Sequence, residues 1–210
     1  MRIHQKLVLD CDADAAWRAL HSPRALAELY GPLMAMEPLA AEGMPTSLEP
    51  GADVPVQLSA LGVPVGRQLI HISDRYVEER RPGRADAAPV RILRDSGIPL
   101  TGPLSVLDVW DHQMAVSPAP GDPSRTLWRE RLVIGGLAAP ALWPMLWATW
   151  QWRSSRLRQV APTWAFDLDG ASGDASGDAA GDAEPSGTDG ASTRAELRRR
   201  TASRSASDPS

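Results

Sequence analysis

The chain has 210 residues and a formal net charge of −4. Nine acids and five arginines lie beyond residue 166, which leaves the first 166 residues neutral, with 17 Lys+Arg and 17 Asp+Glu of the 22 and 26 in the chain. A neutral domain gives no electrostatic basis for nucleic-acid binding. The one cysteine, Cys11, excludes an intrachain disulfide and a thiolate metal site; no metal and no cofactor is expected.

Taken in order, Arg2 to Leu9 (RIHQKLVL) alternates well enough to predict a first strand. The opening MRIHQKLVLDCD lacks an apolar run long enough for a secretory signal, which predicts a cytoplasmic protein. Asp12 or Asp14 can cap a helix through Leu20, with Trp17 and Leu20 on one face. Ser22-Pro23 starts a second short helix, Ser as cap and Pro at the first helical position, ended by Gly31-Pro32. Strands are predicted at Leu33 to Leu39 and, after a Gly/Pro-rich loop from Ala40 to Gly51, at Val54 to Leu61. LGVPVG (61–66) reads as a bend. Two further strands follow, Arg67 to Ser73 and Arg75 to Arg80, then a loop from Pro82 to Ala88 and a strand at Val90 to Leu93. Arg75, Arg80, Arg81, Arg84, Arg91 and Arg94 interleave with Glu78, Glu79, Asp86 and Asp95, the pattern of a solvated, salt-bridged surface. Gly97 to Pro103 is a bend, Leu104 to Ser117 the longest predicted strand, Ser117 to Asp122 a turn, and Thr126 to Ile134 the last strand before Gly135-Gly136.

The rest is organised around Leu137 to Trp164, which holds five of the eight tryptophans. Trp143, Trp147, Trp150, Leu157, Ala161 and Trp164 recur at helical spacing, with Ser154 filling the gap, and predict one long helix beginning within 140–144 and ending near Ala161. Arg153, Arg156 and Arg158 suit its C-terminal turns. Residues 132–152 are apolar, but Gly135, Gly136, Pro140, Pro144 and the polar side from Thr149 and Gln151 onward argue for a core helix rather than a membrane span. No stable membrane insertion is expected. Beyond Asp167 the composition changes to an acidic Gly/Asp/Ala repeat, then a basic Ser/Arg-rich end with almost nothing to bury, so 1–166 is predicted as the folded domain and 167–210 as a disordered tail. The nonapeptide pattern of calcium-binding Asp-Gly repeats is missing.

A strand, two short helices, about six strands and one long helix, with no βαβ rhythm and no Gly-rich phosphate loop, predict an α+β fold with an antiparallel sheet. A final hairpin turning on Gly121 would oppose Val116 to Thr126, Met114 to Trp128, His112 to Glu130 and Trp110 to Leu132. The face carrying Val106, Trp110, Met114, Trp128 and Leu132 is the apolar one and should point inward. Asp108, His112 and Glu130 share it, and buried polar groups must find partners. His112 and Glu130 are therefore the pair to watch, either as a structural ion pair or as the anchor for a ligand's polar end. His71 reads as a satisfied or exposed histidine, and His4 and His21 have no acidic or histidine neighbour at metal spacing.

LSALGVPVGRQLIHISDRYVEERRPG resembles the paired middle strands, and GPLSVLDVWDHQMAV with TLWRERLVIGGLAAP the last two strands entering the C-terminal helix, of the START-related SRPBCC superfamily, which includes polyketide cyclase/dehydrase-like domains. The likeness runs over residues 1 to about 165. It departs at the long Ala85–Thr101 connection, at Trp110, where relatives often carry a polar residue or histidine, and in the tail. The resemblance implies a helix-grip fold, a curved sheet wrapped around the long helix, with a cavity between them for an apolar small molecule such as a lipid, polyketide or aromatic metabolite. Trp110, His112, Met114, Trp128, Glu130, Trp143, Trp147 and Trp150 are its expected ligand-binding residues. The alternative is a cyclase- or dehydratase-type enzyme in the same cavity, with His112 as general base, Glu130 orienting it and Asp108 as a second acid. A protein using an exposed tryptophan face against a partner or membrane surface is a third reading. No oligomeric state follows from the sequence.

Overall fold

The computed structural model describes residues 1–80 and 87–165. The predicted tail, the domain boundary at 166, and Arg81, Arg84 and Asp86 lie outside them. Seven strands and three α-helices follow in the order β1 (Arg2–Leu9), α1 (Ala13–His21), α2 (Pro23–Tyr30), β2 (Met34–Pro38), β3 (Asp53–Ala60), β4 (Val63–Arg80), β5 (Ala87–Asp95), β6 (Val109–Ala119), β7 (Asp122–Gly135) and α3 (Ala139–Val160). The strands form one antiparallel sheet in the order β1-β7-β6-β5-β4-β3-β2. This is an α+β helix-grip fold, the sheet curved around α3.

The short helices start where their caps predict. The Asp12 carboxylate accepts from the backbone N–H of Asp14 (2.8 Å) and Ala15 (2.7 Å), and the Ser22 hydroxyl accepts from Ala25 N–H (3.2 Å) with Pro23 in the first turn. The long helix has no side-chain cap and carries Pro144 in its interior. Its stability therefore rests on its buried face rather than on propensity.

Several predicted boundaries move. The 61–66 bend contracts to Leu61 and Gly62, both at positive φ, so the next strand starts at Val63, and the predicted strands Arg67 to Ser73 and Arg75 to Arg80 run on as one of 18 residues. Residues Pro103–Val106 form a 3₁₀ turn, leaving Val106 53 % exposed instead of on the inner face. The last hairpin turns on Pro120-Gly121, with an irregularity at Pro118/Ala119 that moves the register two residues from the predicted one. His112 stands opposite Leu132, Met114 opposite Glu130, Val116 opposite Trp128, and Trp110 opposite Ile134. A shift of two keeps every side chain on its predicted face, because side chains alternate with period two. The inner face then carries Trp128, Glu130, Leu132 and Ile134 from β7 beside His112, Met114 and Val116 from β6, all buried.

The long helix also turns relative to its predicted stripe. Trp150, Leu157, Ala161 and Trp164 are buried as expected, but Leu146, Arg153 and Val160 complete the face, while Trp147 is 46 % exposed. A strap from β1 fixes the rotation: Gln5 Nε2 donates to the Trp150 carbonyl (2.8 Å), and the Ser154 hydroxyl donates to Gln5 Oε1.

Candidate functional site

Between the inner sheet face and α3 lies a cavity of about 350 Å³. Its walls are largely aliphatic and aromatic, with Ile70, Leu93, Met114, Trp110, Leu146 and Trp150 among them. A few polar side chains converge on it from different elements: Tyr30 from α2, Gln68 from β4, Asp95 from β5, His112 from β6, and Thr149 and Arg153 from α3. An apolar space with a small polar set is the common form of a small-molecule site.

The polar set is anchored by a buried network. Glu130 receives His112 Nε2 at 2.5 Å on Oε1, and the Trp128 indole N–H (3.2 Å) and the Arg153 guanidinium on Oε2. His112 and Glu130 meet although they are not directly opposed, since diagonal neighbours on one sheet face remain within reach of long side chains. Arg153 is fully buried; it lies over the Tyr30 ring (5.3 Å) and donates to Met114 Sδ (3.4 Å). Burial pushes the Glu130 carboxyl up, but the charge of Arg153, then the charge and hydrogen bond of His112 and the bond from Trp128, outweigh it and hold the pKa at about 2. Burial likewise disfavours charged Arg153, and Glu130 more than compensates, raising its pKa above the ordinary value. Glu130 and Arg153 are thus an ion pair that cancels in charge, with Arg153 Nε the one guanidinium nitrogen left without a partner among the described residues.

Asp95 stands opposite His112 across β5 and β6. It is 9 % exposed, and its Oδ1 accepts from the backbone N–H of His71 (3.1 Å) and Gly97 (3.0 Å). Burial raises its pKa, opposed first by the charge of His112. The Trp110 indole N–H faces the same carboxylate without closing a hydrogen bond on it. The His112 ring packs edge-on against Trp150 (5.2 Å), which packs against Trp110 (6.2 Å).

Of the residues expected at the site, Trp110, His112, Met114 and Trp150 line the cavity. Glu130 and Trp128 lie behind them, Glu130 holding His112 and Trp128 packed on Trp164 (6.2 Å). Trp143 and Trp147 stack on each other (6.4 Å) on a flank of α3 outside the cavity lining. Asp108 is exposed before β6, its carboxylate against Gly136. His21 finds an acid from a distant strand, Asp74 of β4 at 3.1 Å, and His71 pairs with Asp53 at 2.6 Å on the surface. No cluster of three or more metal-ligating side chains occurs among the described residues.

Five polar residues of the cavity wall, Tyr30, Gln68, Asp95, Thr149 and Arg153, were not expected there. Arg153 sits three residues after Trp150 and four before Leu157, squarely on the apolar stripe, so helical spacing alone marks it as buried. Asp95 lies two residues after Leu93, hence on the same strand face. It leaves the predicted surface charge cluster for the interior; Arg91 and Arg94 of that cluster instead pair with Asp14 (2.6 Å) and Asp111 (2.5 Å). Tyr30 had no signal beyond its inward position on α2.

No family model and no curated protein matches the chain. Its fold is similar to that of protein CV1439 from Chromobacterium violaceum, at 16 % identity over 77 % of this chain and 96 % of that one, with a TM-score of 0.52. It is also similar to an Arthrobacter aurescens protein solved by NMR, at 14 % identity over 76 % and 85 %, with a TM-score of 0.51. Both likenesses show a shared fold. Among the described residues no helix is long and apolar enough to cross a membrane.

Proposed function

We propose that this is a helix-grip domain of the SRPBCC type that binds an apolar small molecule, a lipid, polyketide or aromatic metabolite, in the cavity between the sheet and α3. The observation carrying this reading is the cavity itself, about 350 Å³ of mainly apolar wall with a few convergent polar groups. Native mass spectrometry of the purified protein, followed by extraction, should find a bound apolar compound. The emptied protein should take up the fluorescent probe 1-anilinonaphthalene-8-sulfonate, and the extract should displace it. Absence of both uptake and a bound mass sinks the proposal.

One feature favours a second reading, a cyclase- or dehydratase-type enzyme. Glu130 holds His112 through Nε2, and Nδ1 has no hydrogen-bond partner among the described residues, leaving it to act as a general base. The second acid beside it is Asp95 rather than Asp108. A folded His112→Gln variant separates the roles. Unaltered binding of the extracted compound means the pair only holds the fold; weakened binding makes it an anchor; lost turnover at retained binding makes it a base.

A further inference from the structure

The polar end of the cavity has a donor–acceptor pattern that narrows the ligand, given the binding reading above. Asp95 Oδ1 is spent on two backbone N–H groups, and the Trp110 indole N–H faces the carboxylate without closing a hydrogen bond on it, which leaves the carboxylate acceptor capacity toward the cavity. His112 Nε2 is spent on Glu130, while Nδ1 is unpaired. Both residues line the cavity and face each other across β5 and β6. Nearby, Glu130 and Arg153 cancel in charge. In so apolar a space the Asp95–His112 couple is cheapest when it too is neutral. Neutrality leaves one proton beyond the Nε2–H, on either residue: carboxylate with imidazolium, or carboxylic acid with imidazole.

In either distribution the couple presents one donor and one acceptor to the cavity. We infer that the ligand meets Asp95 and His112 with a hydroxyl group, phenolic, enolic or alcoholic, which donates to one and accepts from the other. A hydroxyl fits both proton distributions, because its oxygen accepts while its hydrogen donates. A carbonyl only accepts and an ammonium only donates, so each leaves one buried partner unpaired, and a site built for a hydroxyl discriminates against analogues that leave its polar groups bare. The Trp150 indole N–H, buried against His112 with no partner among the described residues, and the Trp110 indole N–H, which faces Asp95, add donor character around the same point.

Three naphthalene probes test this on the wild-type chain: 2-naphthol, 2-methylnaphthalene of similar shape, and 2-acetylnaphthalene, which only accepts. Equilibrium dialysis at pH 7 should show 2-naphthol binding about tenfold more tightly than either of the others, the size expected for about one net hydrogen bond. Equal affinity for all three overturns the hydroxyl assignment and leaves the apolar cavity standing. Failure of all three to bind overturns both. An Asp95→Leu variant, similar in volume, should lose the preference for 2-naphthol while holding 2-methylnaphthalene as before; a preference that survives in the folded variant removes Asp95 from the contact. If Asp95→Leu does not fold, the wild-type series decides alone.

Discussion

At the residue scale, the buried centre of the molecule is Glu130. One carboxylate on β7 ties together His112 on β6, Trp128 on its own strand and Arg153 on α3. Arg153→Ala leaves the buried carboxylate with only His112 and the Trp128 indole N–H as partners, and breaking a buried pair typically costs about 3–5 kcal/mol. His112→Ala should cost less than this, since Arg153 remains, but far more than the surface control His4→Ala; thermal melts of the three variants give the ranking, and equal stability of Arg153→Ala and His4→Ala would refute the network. The same carboxylate sets an acid limit. Its folded pKa of about 2 lies below the ordinary 4.5, so its stabilisation is complete above pH 4.5 and drains away as pH falls toward 2. Urea melts between pH 6 and pH 2.5 should show this loss in the wild type and a shallower one in Glu130→Gln, which starts from lower stability. Cys11 is the opposite kind of residue. Burial pushes its thiol up to about 11, opposed by a hydrogen bond with Thr126. It should resist iodoacetamide in the native state and label at the rate of unfolding; rapid labelling of the folded protein would contradict its placement.

At the element scale, two pieces form the cavity wall and each has a weak point. The connection from Ser96 to Asp108 lies along β4 so closely that a Cβ on Gly97 would stand 1.8 Å from the Leu69 carbonyl oxygen. Gly97 N–H also holds Asp95 in place. Gly97→Ala should therefore cost about 1–3 kcal/mol, the usual price of forced overpacking, and weaken naphthalene binding along with it; a neutral substitution would mean the connection is loosely held. The other piece is α3. Without it Leu132, Ile134, Met114 and Trp128 lose their cover, and that area at roughly 25 cal/mol per Å² is comparable with the ~5–15 kcal/mol stability of a whole domain. A chain ending at Gly136 should not fold, and a soluble, cooperatively melting 1–136 fragment would be incompatible with the helix-grip architecture.

At the scale of the whole molecule, the two core clusters lie at either end of α3. One gathers α1, α2, the sheet and the helix's C-terminal half with Trp164; the other gathers Leu132, Ile134, Leu146 and Trp150 under its N-terminal half. All of this lies before residue 166, and the sequence beyond holds little apolar area to bury. Deleting residues 168–210 should leave the melting temperature nearly unchanged in calorimetry, and a loss of cooperativity would show that the segment belongs to the fold. Trp128, Trp150 and Trp164 are buried while Trp147 is not, so tryptophan emission should be mainly blue-shifted, with a red component that Trp147→Phe removes.

The order of elements was legible in the sequence because caps, turns and apolar periods are local signals: Asp12 and Ser22 start their helices, Gly62 and Gly121 end their strands, and the tryptophan-rich stretch is one helix. The inward face of β6 and β7 was legible too, since period-two alternation survives a register error of two. What the sequence could not fix was anything depending on distance between elements. The irregularity at Pro118/Ala119 sets which residues oppose one another, and the Gln5 strap sets the rotation of α3. Both are decided by packing across 100 residues or more of chain or by the fit of one hairpin to its neighbours. Arg153 and Asp95 show the physical reason most plainly. Each sits on an apolar stripe where a charge is unfavourable by itself, and only the tertiary structure supplies what makes burial tolerable: Glu130 for the first, two backbone N–H groups and His112 for the second.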